Sequence, residues 1–206
     1  MRKAAASQSV PRAHTLQFIA IVVVAIYLIP EGAHLFEMPN KLRLTPDSYM
    51  TVQQIYDGWA FFGVIIVLAV GCTLGCAIVM RRNLLAQRLS LGSCASLVGT
   101  QIIFWSFIYP MNALTRNWAE MPDHFEAARR QWEYAHAGSA GLTLLAFVLA
   151  LWGLVINTRP NPSAIEASSI ASAAREAFAS RPPACARWAS VLLRRSDRMR
   201  ARPGAR

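Results

Sequence analysis

The stretch Gln131-Trp132-Glu133-Tyr134-Ala135-His136-Ala137 stands at the start of the last long apolar run of the chain. It places Glu133 and His136 three residues apart, so that both side chains lie on one face of a helix. Glu31 and His34 have the same spacing near the end of the first apolar run. Ionisable groups in membrane-crossing helices are costly and usually functional. The two Glu-x-x-His pairs therefore predict a shared site, provided that their helices are neighbours.

The composition predicts a membrane protein. Of 206 residues, 54% are hydrophobic and 16% are charged, which is too apolar for an ordinary soluble domain. Four apolar runs, at about 15–36, 57–80, 84–109 and 131–156, are long enough to cross the hydrocarbon core as helices. The predicted fold is therefore all-α, a membrane-embedded up-down four-helix bundle. Pro30 predicts a kink in the first span, and Pro110 predicts the end of the third or a kink in it.

The charge distribution predicts the topology. Sixteen of the 21 Lys and Arg lie in the N-terminal segment, in the turn at 81–88 and in the tail beyond 157, whereas eight of the 11 Asp and Glu lie on the opposite side. The positive-inside rule then places both termini in the cytoplasm. The net charge of +10 is accordingly a topology signal, and no nucleic-acid partner is expected. The lipid bilayer is the expected partner, and a homo-oligomer or a larger membrane complex is left open.

Three segments follow from this division. Residues 1–14 form a cytoplasmic N-terminal segment, residues 15–156 form the transmembrane domain, and residues 157–206 form a basic cytoplasmic tail. The tail is rich in Pro, Ala, Ser and Arg, which favours disorder, with a basic interfacial helix over 181–206 as the alternative. Between the first two spans, Thr45-Pro46-Asp47 predicts a turn, and 49–56 predicts a short interfacial helix.

Both Glu-x-x-His pairs fall at the same end of the predicted bundle. Such pairs on two helices, with further carboxylates nearby, are typical of dimetal sites in four-helix bundles, and oxygen and imidazole ligands suit iron, manganese or zinc. The candidate metal ligands are Glu31, His34, Glu133 and His136. Two further acids, Glu37 and Asp57, are candidate general bases or additional ligands. Two alternatives stay open: a structural ion network with nearby arginines, and a haem held by the two histidines.

Aromatic and amide side chains near the same end are candidates for lining a substrate slot. An anchoring role at the membrane interface is the alternative for the tryptophans. The set comprises Trp59, Gln101, Trp105, Asn112, Asn117 and Trp132.

Three stretches also carry a resemblance: 32–41, 52–60, and Asn117-Trp118 followed by 130–137. Over residues 15–157 the chain resembles a bacterial group of small membrane proteins linked to the anthrone oxygenase-like family. The resemblance implies a four-helix membrane fold in a bacterial inner (plasma) membrane and suggests oxygen chemistry, since fungal members oxidise anthrones to anthraquinones with dioxygen. It implies no particular catalytic residue and no particular substrate.

The function hypothesis is an integral membrane oxidoreductase of the oxygenase type, with or without a metal. Its substrate would be a small apolar aromatic or quinone-like molecule that enters from the lipid. The rival hypothesis is a non-catalytic membrane subunit whose acidic patch stabilises a larger complex.

Overall fold

The computed structural model describes residues 2–158 and 162–179, with side chains described for 13–158, Glu166 and 168–177. The chain divides into two compact units, Met1–Arg159 and Pro160–Arg206. All regular structure in the described residues is helical: α1 Arg2–Lys41, α2 Pro46–Gln53, α3 Phe62–Val79, α4 Leu84–Ile103, α5 Tyr109–Leu114, α6 Phe125–Thr158 and α7 Pro162–Ala179. Short 3₁₀ turns occupy Gln54–Tyr56 and Trp59–Phe61, and a π-helical segment occupies Phe104–Ile108.

Four helical segments are long and apolar enough to cross a membrane. They are Ala13–Lys41, Trp59–Val79, Leu84–Leu114 and Phe125–Thr158, so the protein is a multi-pass membrane protein with four candidate spans. Helix α1 packs on α3 and α6, and α4 packs on the same two helices. The predicted all-α arrangement of four packed apolar helices is confirmed, and the two helices that carry the Glu-x-x-His pairs are neighbours.

The polarity of the bundle suits a lipid environment. Large apolar side chains such as Phe18, Val67 and Val148 face outward, being 62%, 70% and 50% exposed. The interior instead holds small and hydroxyl-bearing residues, among them Ser93 and Thr143 at 0% exposure. Such interiors let membrane helices approach closely. At Gly99 the approach is so close that a Cβ atom would lie 3.0 Å from Leu142 Cδ1.

Helix bounds differ from the sequence expectation at three places. Helix α1 begins at Arg2, because its first turns are rich in alanine, a strong helix former. It also continues through Pro30. Helix α6 begins at Phe125, six residues before the predicted span. The third span passes Pro110 by changing to a π-helical turn, after which α5 runs to Leu114. This change of register accommodates Pro110, which has no backbone N–H to donate to the preceding turn.

Residues 42–61, here called the cap segment, connect the first two spans. The predicted turn at 45–47 is the start of α2 instead: the Thr45 side chain accepts a hydrogen bond from the Ser48 N–H, and Pro46 occupies the first turn. The expected short helix is present in the form of α2 and the 3₁₀ turn that follows it. The end of the bundle over which this segment lies is called the capped end below.

The predicted tail is described only in part. Helix α7, Pro162–Ala179, lies in the second unit, and the side chains described there are exposed. Residues 180–206, which include most of the stretch expected to be disordered or interfacial, lie outside the described residues.

Candidate functional site

The capped end of α1 presents one polar face to the bundle interior. Tyr27, Glu31, His34 and Lys41 follow each other at spacings of four, three and seven residues, which is the repeat of a single helix face. All four are buried, with exposed fractions between 3% and 8%. The Tyr27 hydroxyl donates a hydrogen bond of 2.9 Å to Glu31 Oε1, one turn away. This face brings a carboxylate, an imidazole and an ammonium group to one side of the helix.

Helix α6 presents the matching face. Arg129, Trp132, Glu133 and His136 are all buried, and Glu133 is fully so. The Trp132 indole contacts a histidine of each helix: its ring centroid is 4.2 Å from that of His136 on α6 and 5.0 Å from that of His34 on α1. Facing polar groups are thus enclosed by aromatic surface, where their interactions are stronger than in water.

The two histidines and Glu31 meet between the helices. The imidazole centroids of His34 and His136 lie 4.0 Å apart with their planes inclined by 34°. His136 Nδ1 is 3.8 Å from Glu31 Oε2, beyond normal hydrogen-bond length. Glu31 Oε2 and both Nδ1 atoms are buried and have no hydrogen-bond partner among the described residues. Three buried polar atoms without hydrogen-bond partners are unusual in one site, and a catalytic role or a bound molecule would explain them.

Glu133 takes part in a different contact. Its Oε1 lies 2.9 Å from Lys41 Nζ, and the Tyr49 hydroxyl donates to the same oxygen at 2.8 Å. Gln53 supports this arrangement, since its Nε2 donates to the Tyr49 hydroxyl at 2.6 Å. Glu133 Oε2 is buried without a partner in the described part of the chain. Of the two carboxylate oxygens, Oε1 therefore contacts Lys41 and Tyr49, whereas Oε2 has no hydrogen-bond partner among the described residues.

Two tyrosines of the cap segment close the site from above. The Tyr56 ring lies on His34 with centroids 4.4 Å apart, and its hydroxyl donates to a Glu37 carboxylate oxygen. Lys41 Nζ in turn donates to the Tyr56 hydroxyl at 3.2 Å. Burial, reinforced by the neighbouring Glu37, raises the pKa of Tyr56 well above its ordinary value. Burial and Glu133 do the same to the pKa of Tyr49, so both phenols stay protonated at neutral pH.

A strained turn places a further tryptophan against the site. Arg116, Asn117 and Trp118 all have positive φ angles, of 48°, 55° and 62°. Side chains other than glycine rarely adopt this conformation, and a run of three costs free energy that the surroundings must supply. Trp118 is 3% exposed and packs edge-on against Tyr49 and Trp132, at 5.2 Å and 5.8 Å. Gln54 holds the turn by donating to the Trp118 carbonyl at 2.8 Å.

The structure brings the four candidate metal ligands to one region but does not arrange them around one point. Glu133 is paired with Lys41, and the two imidazole rings lie against each other with their centroids 4.0 Å apart. Within residues 13–158 and the described side chains of α7, no group of three or more His, Cys, Asp or Glu is placed to hold a metal ion. The stacked rings also leave no room for a haem plane between them. The residues as arranged therefore do not fit either cofactor.

The two candidate general bases differ in their surroundings. Glu37 is half-buried at the rim and accepts the Tyr56 hydrogen bond. Asp57 is exposed in the cap segment, and its side chain lies outside the cluster. Only Glu37 is therefore connected to the buried groups.

The six candidate lining residues also divide. Trp59 packs 5.5 Å from His34, and Trp132 donates from Nε1 to Asn112 Oδ1 at 2.8 Å, so these three belong to the site or support it. Gln101 lies beside Tyr27 below the histidines. Trp105 is 60% exposed on the outer surface of the bundle, and Asn117 is exposed while its neighbour Trp118 is buried.

Sequence reasoning missed several residues of this site. Tyr27 and Lys41 share the helix face of Glu31 and His34, so their spacing alone could have identified them. The cap-segment residues Tyr49, Gln53 and Tyr56 also share one helix face by their spacing of four and three residues, but only the tertiary fold places that face over the site.

A small cavity lies elsewhere in the bundle. It measures about 10 Å³, roughly the space of one water molecule, and is lined by Gln17, Ala20, Thr73, Cys76, Ser90 and Ala150. Most of these residues lie toward the opposite end from the cap segment.

These features define a class of protein: a multi-pass helical membrane protein with an enclosed cluster of carboxylate, imidazole, ammonium and phenol groups under a helical cap. No protein-family model, curated protein or solved structure matches the chain. The class therefore follows from the fold and the site alone.

Proposed function

We propose that this protein is an integral membrane oxidoreductase of the oxygenase type, acting on a small apolar aromatic or quinone-like molecule. One observation carries the proposal: Glu31 Oε2 and the Nδ1 atoms of His34 and His136 are buried without a hydrogen-bond partner in the described structure, and His136 Nδ1 lies 3.8 Å from Glu31 Oε2. Burying such atoms unsatisfied costs about 1–3 kcal/mol each. A purely structural bundle would gain stability by replacing them with apolar residues, so their presence supports a role in chemistry.

The chemistry that these groups support is proton abstraction from a weakly acidic substrate. In the proposed reaction a ring methylene group and dioxygen give a ring carbonyl and water. Two C–H bonds and the O–O bond break, one oxygen atom enters the carbonyl, and the other leaves as water. The carbon loses four electrons, which dioxygen takes up. The Glu31–His136 pair removes the first proton and returns it to the departing oxygen, as a general base and then a general acid.

The surroundings supply charge and exclude water. The Lys41 ammonium lies over the Trp132 ring, 4.6 Å from its centroid, close enough to favour negative charge that develops on a substrate oxygen beside it. The rings of Tyr56, Trp59 and Trp132 provide the flat apolar walls that aromatic ligands prefer. A hydrophobic substrate would reach these walls from the bilayer.

The resemblance to the anthrone oxygenase-like family supports this reaction class and a bacterial plasma membrane. The charge distribution supports an orientation with both termini in the cytoplasm, which places the capped end outside. A reporter that is active only in the cytoplasm should then be active when it is fused to either terminus.

Iron, manganese or zinc dependence stays a prediction, and no step above passes through a metal. Metal analysis of the purified protein tests it directly. A stoichiometric metal that disappears in the His34→Ala/His136→Ala double variant would show that the ligands rearrange on binding, and a Soret band would show haem.

The test of the proposed function is turnover of an anthrone in protein reconstituted into nanodiscs. We expect anthraquinone formation above the uncatalysed rate, with one dioxygen consumed per product. Glu31→Gln and His136→Gln should each lower this rate about 10²–10⁴-fold. His124→Gln, at an exposed position, is the matched control and should leave the rate unchanged.

The rival is a non-catalytic subunit, favoured by the closed Lys41–Glu133 contact, which is satisfied within the chain. Absence of turnover, together with copurification of one partner protein that is lost when the exposed acids Asp47, Asp57 and Glu120 are neutralised, would establish it.

A further inference from the structure

A continuous chain of polar contacts leads from the buried site to the rim. It begins at Glu133, which is fully buried, and passes to Lys41 Nζ at 2.9 Å. From there Lys41 donates to the Tyr56 hydroxyl at 3.2 Å, and Tyr56 donates to Glu37, which is half-buried. We propose that Lys41, Tyr56 and Glu37 form a proton pathway between the buried Glu133 carboxylate and the aqueous phase, with Glu37 as its port.

The donor directions fit outward transfer. Lys41 gives a proton to the Tyr56 oxygen as Tyr56 gives its own proton to the Glu37 carboxylate, so one N–H bond and one O–H bond break while two O–H bonds form. Neutral Lys41 then takes a proton from protonated Glu133, which restores the ion pair. Glu37 releases the proton to water. Each step moves one proton between atoms already in contact, and the sum is transfer of one proton from Glu133 to the solvent.

The inner end of the pathway is open to the site. Glu133 Oε2 is buried and unpartnered among the described residues, on the same helix face as His136. Tyr49 fixes the other oxygen at 2.8 Å, so the free one is oriented for exchange with a group in the site. The pathway therefore ends inside on an acceptor and outside on a carboxylate at the rim.

Several other charged or titratable groups lie near the pathway without interrupting its chain of contacts. On α6, Arg129 is paired with Glu126 at 2.7 Å and lies over the Tyr49 ring, 5.5 Å from its centroid. On α1, Glu37 lies within electrostatic range of both Lys41 and Glu133. The histidines of the site, His34 and His136, lie within electrostatic range of Lys41. The pathway thus has two carboxylates and one ammonium in series, which keeps its net charge small.

The sequence offers a direct readout, because the chain contains only two lysines, Lys3 and Lys41. In protein labelled with ¹⁵N-lysine, a Lys3→Arg background leaves the Lys41 ammonium as the single lysine side-chain signal. Its rate of hydrogen exchange with water measures proton transfer along the pathway without substrate or turnover.

The two test variants interrupt the pathway at different atoms. Tyr56→Phe removes the central hydroxyl, and Glu37→Gln replaces the port by an amide that does not readily carry protons. We expect both to slow Lys41 exchange about tenfold or more. Glu37→Asp should stay close to the parent rate. Glu120→Gln, which changes a 56% exposed carboxylate at the same end whose partner Arg116 is itself exposed, is the matched control and should have no effect.

The opposite sign would overturn the proposal. If Tyr56 and Glu37 only seal the site, removing them admits water, and Lys41 exchange becomes faster. Unchanged exchange in both variants would equally contradict the pathway. Should Tyr56→Phe fail to fold, Glu37→Gln decides the question at the rim. Slower exchange without any substrate turnover would retain the pathway and remove the oxygenase, while turnover with unaltered exchange would do the reverse.

Discussion

Lys41 of α1 and Glu133 of α6 form an ion pair of 2.9 Å, with side chains only 4% and 0% exposed. The pair joins the two helices that carry the Glu-x-x-His sequences. Because both charges are out of water, each depends on the other, and the loss of one leaves an uncompensated charge. The pair is therefore a point at which the stability and the chemistry of the site are linked.

Lys41→Met should destabilise the protein by about 3–5 kcal/mol, because it leaves Glu133 buried and unpaired. The double variant Lys41→Met/Glu133→Leu should recover much of this loss, since it removes both charges. Unfolding in mixed micelles by a denaturing detergent measures both free energies. A double variant less stable than Lys41→Met would contradict the assignment of the loss to an unpaired charge.

Tyr49→Phe should cost about 1–3 kcal/mol, because the hydrogen bond to buried Glu133 is lost while the ring packing is kept. Tyr134→Phe is the matched control: Tyr134 lies beside Glu133 in sequence but is 60% exposed. Equal effects of the two substitutions in the same unfolding assay would show that the hydrogen bond contributes nothing measurable.

The stability of the protein should fall in alkaline solution for a specific reason. Burial raises the pKa of Tyr49 and Tyr56 above the ordinary value of 10.0, so their contribution to stability is full below about pH 10 and is lost as the pH rises toward the folded-state values. Ultraviolet titration of the phenolate, compared among the parent, Tyr49→Phe and Tyr56→Phe, should show that neither phenol ionises near pH 10 in the folded protein. Loss of an ionisation step near pH 10 in either variant would refute this.

The left-handed turn at Arg116 should discriminate sharply between two substitutions. Arg116→Gly and Arg116→Val both remove the exposed ion pair with Glu120, so their difference isolates the backbone effect. Glycine tolerates a φ of 48°, whereas a β-branched residue does not, and the glycine variant should be more stable by about 1–2 kcal/mol. Thermal unfolding of the purified variants gives the comparison, and the same ranking should appear in the burial of Trp118 measured by fluorescence quenching.

Much of the fold could be predicted from the sequence. Long apolar runs identify the spans because the bilayer imposes a minimum length of apolar helix, and this requirement is local. The helix bounds that differ from the expectation also have local causes. The N-terminal alanines extend α1, and a π-helical turn carries the third span past Pro110, since a proline in a membrane helix can be accommodated by a change of register.

The site could be predicted less completely. The Glu-x-x-His spacing identified Glu31, His34, Glu133 and His136 as neighbours at one end of the bundle, and the structure brings them there. The spacing did not indicate that Glu133 would form an ion pair with Lys41, because pairing depends on which helix faces meet. Glu37 and Asp57 could not be distinguished from the sequence, although only Glu37 contacts the cluster.

The sequence by itself determined four apolar helices, their polar ends and the helix face on which each acid and imidazole lies, since these depend only on hydropathy and on the helical repeat. The tertiary structure alone decided the partners: Lys41 with Glu133, Tyr56 with Glu37, and His34 stacked on His136. The physical reason is range. Helix periodicity acts over a few residues, whereas a hydrogen bond such as that from Tyr49 to Glu133 joins positions 84 residues apart and exists only after the helices and the cap segment have packed.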